Sequence, residues 1–130
     1  MDPENFADVV ADNRVWLLEF YSPMCGSCKE FAPVWKTVED YLDSKVMTSK
    51  INIDSKAGMK IAEAVGALED GIPALVLFKS NSDAKGTSMG IQESMLTKSH
   101  VLKVLKKHLK DFSKSDEGYY LKKGSSELRS

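Results

Sequence analysis

The stretch Glu19–Pro33, EFYSPMCGSCKEFAP, decides the reading of this 130-residue chain. It holds both of the chain's cysteines, Cys25 and Cys28, with two residues between them. Just upstream, Val15–Tyr21 reads VWLLEFY, a continuous β-prone run of the kind that fills a strand buried on both faces of a parallel sheet. Just downstream, Phe31, Val34, Trp35, Val38, Tyr41 and Leu42 fall on one helical stripe. The cysteines therefore sit where a strand hands over to a helix. Pro33 lies inside that helix, where it removes the bond to the Lys29 carbonyl and predicts a kink.

Working outward, Phe6, Val9 and Val10 have helical spacing and predict a short helix over Asn5–Asn13, capped by Asn5 or Asp2. Lys45–Asp54 reads as a strand, and Ala57–Ala67 as a short helix closed by Gly66. IPALVLFKS, starting at Ile72, is another buried strand. Asn81–Gly86 is a hairpin turn, followed by a weak strand over Thr87–Gln92. Lys98–Phe112 is an amphipathic helix whose apolar face holds Val101, Leu102, Val104, Leu105 and Leu109. Beyond Phe112 the chain is polar and aperiodic. The expected organisation is one domain over 1–112 and a flexible tail or linker over 113–130. The order α–β–α–β–α–β–β–α places the Cys pair in the first βαβ unit, the setting of a thioredoxin-like redox motif.

Composition narrows the function. With 42% hydrophobic residues the chain has enough apolar side chains for a core. No apolar run approaches the ~20 residues that span a bilayer, so no membrane partner is expected. The first residues are acidic where an export signal would be basic. Net charge is −6 over residues 1–95 and +5 over 96–130. The basic residues gather on one amphipathic helix without interleaved aromatics, which reads as a solvated face rather than a nucleic-acid surface. Two cysteines exclude a disulfide-rich scaffold. His100 and His108, eight apart on a helix, do not complete a structural zinc site with them, so no metal is expected.

LLEFYSPMCGSCKEFAPVW resembles the active-site segment of thioredoxin-fold oxidoreductases, and most closely that of protein disulfide isomerase catalytic domains. Glu-Phe-Tyr before the motif and Ala32, Pro33 and Trp35 after it carry that likeness. Asn5 and Phe6, the block Lys50–Asp54 and the block Gly71–Phe78 follow in the family's order. The resemblance covers about residues 4–112. It implies an α/β thioredoxin-like fold in three layers, with a central mixed sheet flanked by helices. The family's first strand would precede Asn5, where only four residues stand, so that strand is expected to be missing or very short. Three departures stand out. Met24 replaces the family's Trp, the dipeptide between the cysteines is Gly26-Ser27, and Gly90–Lys98 lacks the arginine isomerases often keep.

The chemistry follows from the thiols. Exchange is attack of a thiolate on a disulfide sulfur, and a free thiol is only about 3% thiolate at pH 7. Cys25, at the helix start, gains most from the free N–H groups and partial positive charge there, so it is the expected nucleophile. Cys28, one turn deeper, is the expected resolving thiol. Glu19 is a charge on an apolar strand: it either faces water at an edge, or is a buried carboxyl that relays the proton to and from Cys28. The resemblance places Lys50 where it would pair with Glu19, although a plain exposed lysine fits equally. It also implies a cis Ile72–Pro73 bond beside Cys25, able to pair with an extended substrate. Met24, with Gly26, Ser27, Ile72 and Pro73, is the expected substrate contact, and Ala74 and Met89 would extend an apolar patch around Met24. Ser27 either bonds the Cys25 thiolate or is a small helix-start residue.

The resemblance thus implies a thiol–disulfide oxidoreductase of the disulfide-isomerase type, in the endoplasmic reticulum lumen. It would act without a cofactor beyond the Cys25–Cys28 disulfide, on client proteins with thiols or disulfides, recharged by glutathione or an oxidase. A cytoplasmic thioredoxin-like reductase and a non-catalytic chaperone-like domain are the alternatives. The chain is expected to be a monomer. If the first strand is absent, however, the edge of the Val46–Asp54 strand is open to the tail at Tyr119–Leu121 or to a second chain.

Overall fold

The computed structural model describes residues 6, 9, 12–43, 45–69, 71–78, 86–89, 97–110, 112 and 114–121. β1 spans Trp16–Tyr21, β2 Met47–Asn52, β3 Ala74–Phe78 and β4 Thr87–Ser88. α1 spans Gly26–Leu42, α2 Lys56–Val65 and α3 Lys98–His108. The sheet runs β2-β1-β3-β4. β1 is parallel to β2 and antiparallel to β3, and β3 is antiparallel to β4. This is the mixed sheet of the expected thioredoxin-like fold. No strand precedes β1 among the described residues. Phe6 and Val9 are helical, Asp12 and Asn13 are not, and the rest of the helix expected over 5–13 lies outside the described residues, as do 79–80 of the strand from Ile72, 81–85 of the hairpin turn and the 90–96 stretch.

The period-2 geometry of β1 divides the core. Leu17 joins Phe31, Trp35, Val38, Leu75, Leu77, Val101 and Leu105 under α1 and α3. Leu18 and Phe20 join Ile51, Ala62, Val76 and Phe78 on the other face, against α2. Glu19, in phase with Leu17, therefore points towards α1 from a strand paired on both sides. Burying each such large apolar side chain contributes about 1.5–3 kcal/mol.

Local chemistry sets the element ends. Cys25 is the N-cap of α1, and Asp43 ends that helix in a left-handed conformation, φ 38°. Ser55 caps α2 through the Gly58 N–H, 2.9 Å, and Gly66 closes it at φ 70°. α3 stops at His108, short of the expected Phe112. Lys106, Lys107 and His108 crowd its last turn, where positive charge offsets the helix dipole.

The stretch expected as a flexible tail is in part folded. Lys114 and Tyr120 bridge antiparallel around Ser115–Gly118, and Leu121 bridges Arg14. The Val15 N–H donates to the Tyr120 carbonyl, 2.9 Å, and the Tyr120 N–H to the Lys45 carbonyl, 2.7 Å. Two tyrosines and a buried leucine give this polar segment something to pack, which a helical-period reading does not register. It caps the start of the β1–β2 seam rather than the outer edge of β2. Residues 122–130 lie outside the described residues. At the same pole Asp12 pairs with Arg14, 2.9 Å, and accepts from Trp16 Nε1, 2.9 Å, while Arg14 lies over the Tyr119 ring.

Candidate active site

The site lies at the carboxyl ends of β1 and β2, where a parallel pair leaves its loops and helix starts exposed. β1 ends at Tyr21, and four residues later Cys25 opens α1. The Cys28 N–H donates to Cys25 Sγ, 3.2 Å. Cys25 Sγ thus receives an N–H from the first turn of a 17-residue helix, which fixes the sulfur at the helix start. Cys25 is half-buried, and its thiol donates to the Ile72 carbonyl, 3.9 Å. The Ile72–Pro73 bond is cis, as the resemblance implied.

Cys28 is a free thiol, 4% exposed, on the buried face of α1. Its thiol is pushed up to about 12: burial is the largest cause, followed by the hydrogen bond with Cys25, with the charges of Cys25 and Glu19 adding to it. A backbone hydrogen bond from Ser22 works the other way. Glu19 is 3% exposed, which rules out the water-facing edge position. Burial raises its pKa from 4.5 to about 7, against the opposing charge of Lys50. A cavity of about 120 Å³ is lined by Glu19, Cys28, Ser22, Lys29 and Lys50, among others, wide enough to admit water between acid and thiol.

Lys50 is a backbone neighbour of Glu19, and its charge acts on that carboxyl from an exposed position. Its Nζ lies 5.2 Å from the centre of the Tyr21 ring. Met24 is 84% exposed beside Cys25. Gly26 is exposed, and a Cβ there would meet nothing within 4 Å, so the ground next to Cys25 is open. Ser27 and Pro73 are half-buried. Met89 does not extend the Met24 patch. It is 5% exposed and packs in the core under α1 and α3, because β4 turns that side chain inward. Ile72 and Ala74 remain half-buried at the rim.

Two residues at the site were passed over in the sequence. Ser22 Oγ donates to the Asp54 carboxylate, 3.0 Å to each oxygen, and accepts the Met24 N–H, 3.1 Å. The Ser22 carbonyl accepts the Cys25 N–H, 3.1 Å. A polar pair straddling the ends of two strands was visible as residue types, but 32 positions of separation hide the contact.

The thioredoxin family model matches residues 1–105. The chain belongs to the thioredoxin family. Among curated relatives, this thioredoxin domain is 28% identical over 106 residues to protein disulfide-isomerase like 2-2 of Arabidopsis thaliana, covering 81% of this chain and 23% of that protein. It is 27% identical over 112 residues to protein disulfide-isomerase A6 of Homo sapiens, covering 85% and 24%. The chain thus spans about a quarter of the length of these relatives. In fold, the domain is similar to the J-Trx1 fragment of ERdj5 (TM-score 0.70, 19% identity, 85% of this chain and 49% of that one). The Trx4 domain of ERdj5 gives a TM-score of 0.68 at 19% identity, over 84% and 94%. Membership places the chain among thiol–disulfide oxidoreductases, whose cysteines are themselves the redox group. Among the described residues no cluster of His, Cys, Asp and Glu converges as a metal site would, and no helix is long and apolar enough to cross a membrane.

Proposed function

We propose that this domain is a thiol–disulfide oxidoreductase of the disulfide-isomerase type, acting on client proteins in the endoplasmic reticulum lumen. The observation that carries it is the pairing of a half-buried, N–H-bonded Cys25 with a buried Cys28 that lines one cavity with Glu19. Cys25 attacks a client disulfide. The client S–S bond breaks, a mixed disulfide forms, and one client sulfur leaves and takes a proton. Cys28 then gives its proton to Glu19 through the cavity, attacks Cys25 Sγ and expels the second client sulfur. Two electrons pass to the client, and the reverse sequence oxidises it. A thiol held at about 12 needs a base, and a carboxyl near 7 can take and return a proton at neutral pH. Met24 and Gly26, with the Ile72 backbone, form the surface against which an extended client segment lies. Glutathione or an oxidase resets the pair, and the domain works as a monomer. The likeness to disulfide isomerases supports this compartment.

Equilibration in glutathione buffers tests the assignment. A reduction potential near about −180 mV is expected for an isomerase, and one near about −270 mV would make the domain a reductase of the thioredoxin kind. Cys25→Ser abolishes turnover in either case and would leave a purely chaperone-like activity intact.

A further inference from the structure

Besides its backbone hydrogen bond to Cys28, Ser22 gathers three bonds that the exchange chemistry alone does not require. Its hydroxyl proton goes to the Asp54 carboxylate, 3.0 Å from both oxygens. With that proton committed, the oxygen lone pairs face the Met24 N–H at 3.1 Å. Its carbonyl holds the Cys25 N–H, also at 3.1 Å. Ser22 follows the end of β1, and Asp54 lies two residues past the end of β2, where the Ile53 N–H still bonds the Tyr21 carbonyl, 2.9 Å. The serine–aspartate contact therefore ties the ends of two parallel strands together and hangs the turn before Cys25 from that tie. Ser22 is itself buried, so its oxygen is a fixed point rather than a surface rotor.

The geometry points to Ser22, held by Asp54, as a positioning residue that presents Cys25 to Cys28 and so speeds closure of the mixed disulfide. Cys28 is fixed in the core and cannot follow a wandering partner. The distance it must bridge is set by where the turn holds Cys25, and a loosened turn lowers the effective concentration of one sulfur against the other. Fast closure commits the domain to net transfer of electrons, whereas slow closure leaves time for a client to rearrange. Ser22 thus biases this domain towards escape through Cys28. This rests on the reading of Cys25 and Cys28 as the exchanging pair.

The test uses glutathione disulfide as substrate. Cys25 attacks it, releasing one glutathione thiol and leaving a glutathione adduct on Cys25. Cys28 then closes the ring and releases the second glutathione thiol. Rapid mixing, acid quenching and mass spectrometry follow the adduct as it forms and decays. The ratio of closure rate to adduct-formation rate is expected to fall about 3- to 10-fold in Ser22→Ala and in Asp54→Ala, the scale of one lost hydrogen bond. The double variant should fall no further than Ser22→Ala, because Asp54 acts through the serine. Ser22→Thr, which keeps the hydroxyl, should stay nearer the unsubstituted chain. Asp54 is exposed, so its variant keeps the test valid if Ser22→Ala does not fold. An adduct that closes equally fast in every chain would overturn the positioning role alone. Failure of the unsubstituted chain to form any adduct on Cys25 would overturn the redox reading and this role with it.

Discussion

Glu19 is a carboxyl for which burial outweighs a nearby lysine. Its pKa of about 7 against 4.5 in the unfolded chain means that the folded state holds the extra proton between those values. Stability is therefore fully present below about pH 4.5 and is lost as pH rises towards 7. Glu19→Gln removes that slope and raises stability at pH 7.5 by on the order of 1–3 kcal/mol, read as a flatter plot of urea stability against pH. The same change removes the base proposed for Cys28, so disulfide turnover at pH 7 should fall about 100-fold. A more stable but slower variant is the signature expected of a functional buried acid. The two cysteines and this acid were legible as residues, because each violates its local pattern: two thiols at a helix start, one charge in an apolar strand. Ser22 and Asp54 violate nothing locally, and only the register of β1 against β2 brings them together. Met89 failed in the opposite sense, because its burial depends on a two-residue strand that has little periodicity to read.

At the scale of the elements, order and type were legible because β1, β3, α1 and α3 carry long, clean patterns. Ends were less so. β2 is shorter than the Lys45–Asp54 run, since the ladder stops where the chain turns into the Asn52–Ser55 cap. Gly58 shows what positions that turn. A Cβ there would clash with the Asn52 carbonyl oxygen and lie 2.8 Å from Ser55 Oγ. The glycine lets the first turn of α2 press against the exit of β2, close to Asp54. Gly58→Ala must push the helix off, at a cost of about 3 kcal/mol, measured as a lower urea midpoint. Pro33, by contrast, sits within a helix that runs unbroken from Gly26 to Leu42. The exposed surface around Lys29 lets water take the carbonyl that the proline leaves free.

For the molecule as a whole, the three layers were what the resemblance implied, whereas the folding of residues 114–121 was not foreseen. Residues 114–121 are held by tertiary contacts: the bonds of Tyr120 to Val15 and Lys45, the Arg14–Leu121 bridge, and the burial of Leu121. A chain ending at Phe112 loses these and bares two backbone groups. It is expected to be less stable by about 3 kcal/mol in urea unfolding, with its dithiol still reactive towards glutathione disulfide. β2 is the outer strand of the sheet among the described residues, and it carries an exposed charge, Lys50, of the kind that discourages edge pairing.

The docking of Leu121 against Arg14 also sets a direction. Arg14 precedes β1 and Cys25 follows it, and a six-residue strand is about 20 Å long. A bead, dye or sensor surface coupled just past Leu121 would therefore sit at the pole away from the thiols. Protein immobilised that way would keep Met24 and Cys25 turned to the solution and open to large clients, with the support acting as a spacer rather than a lid.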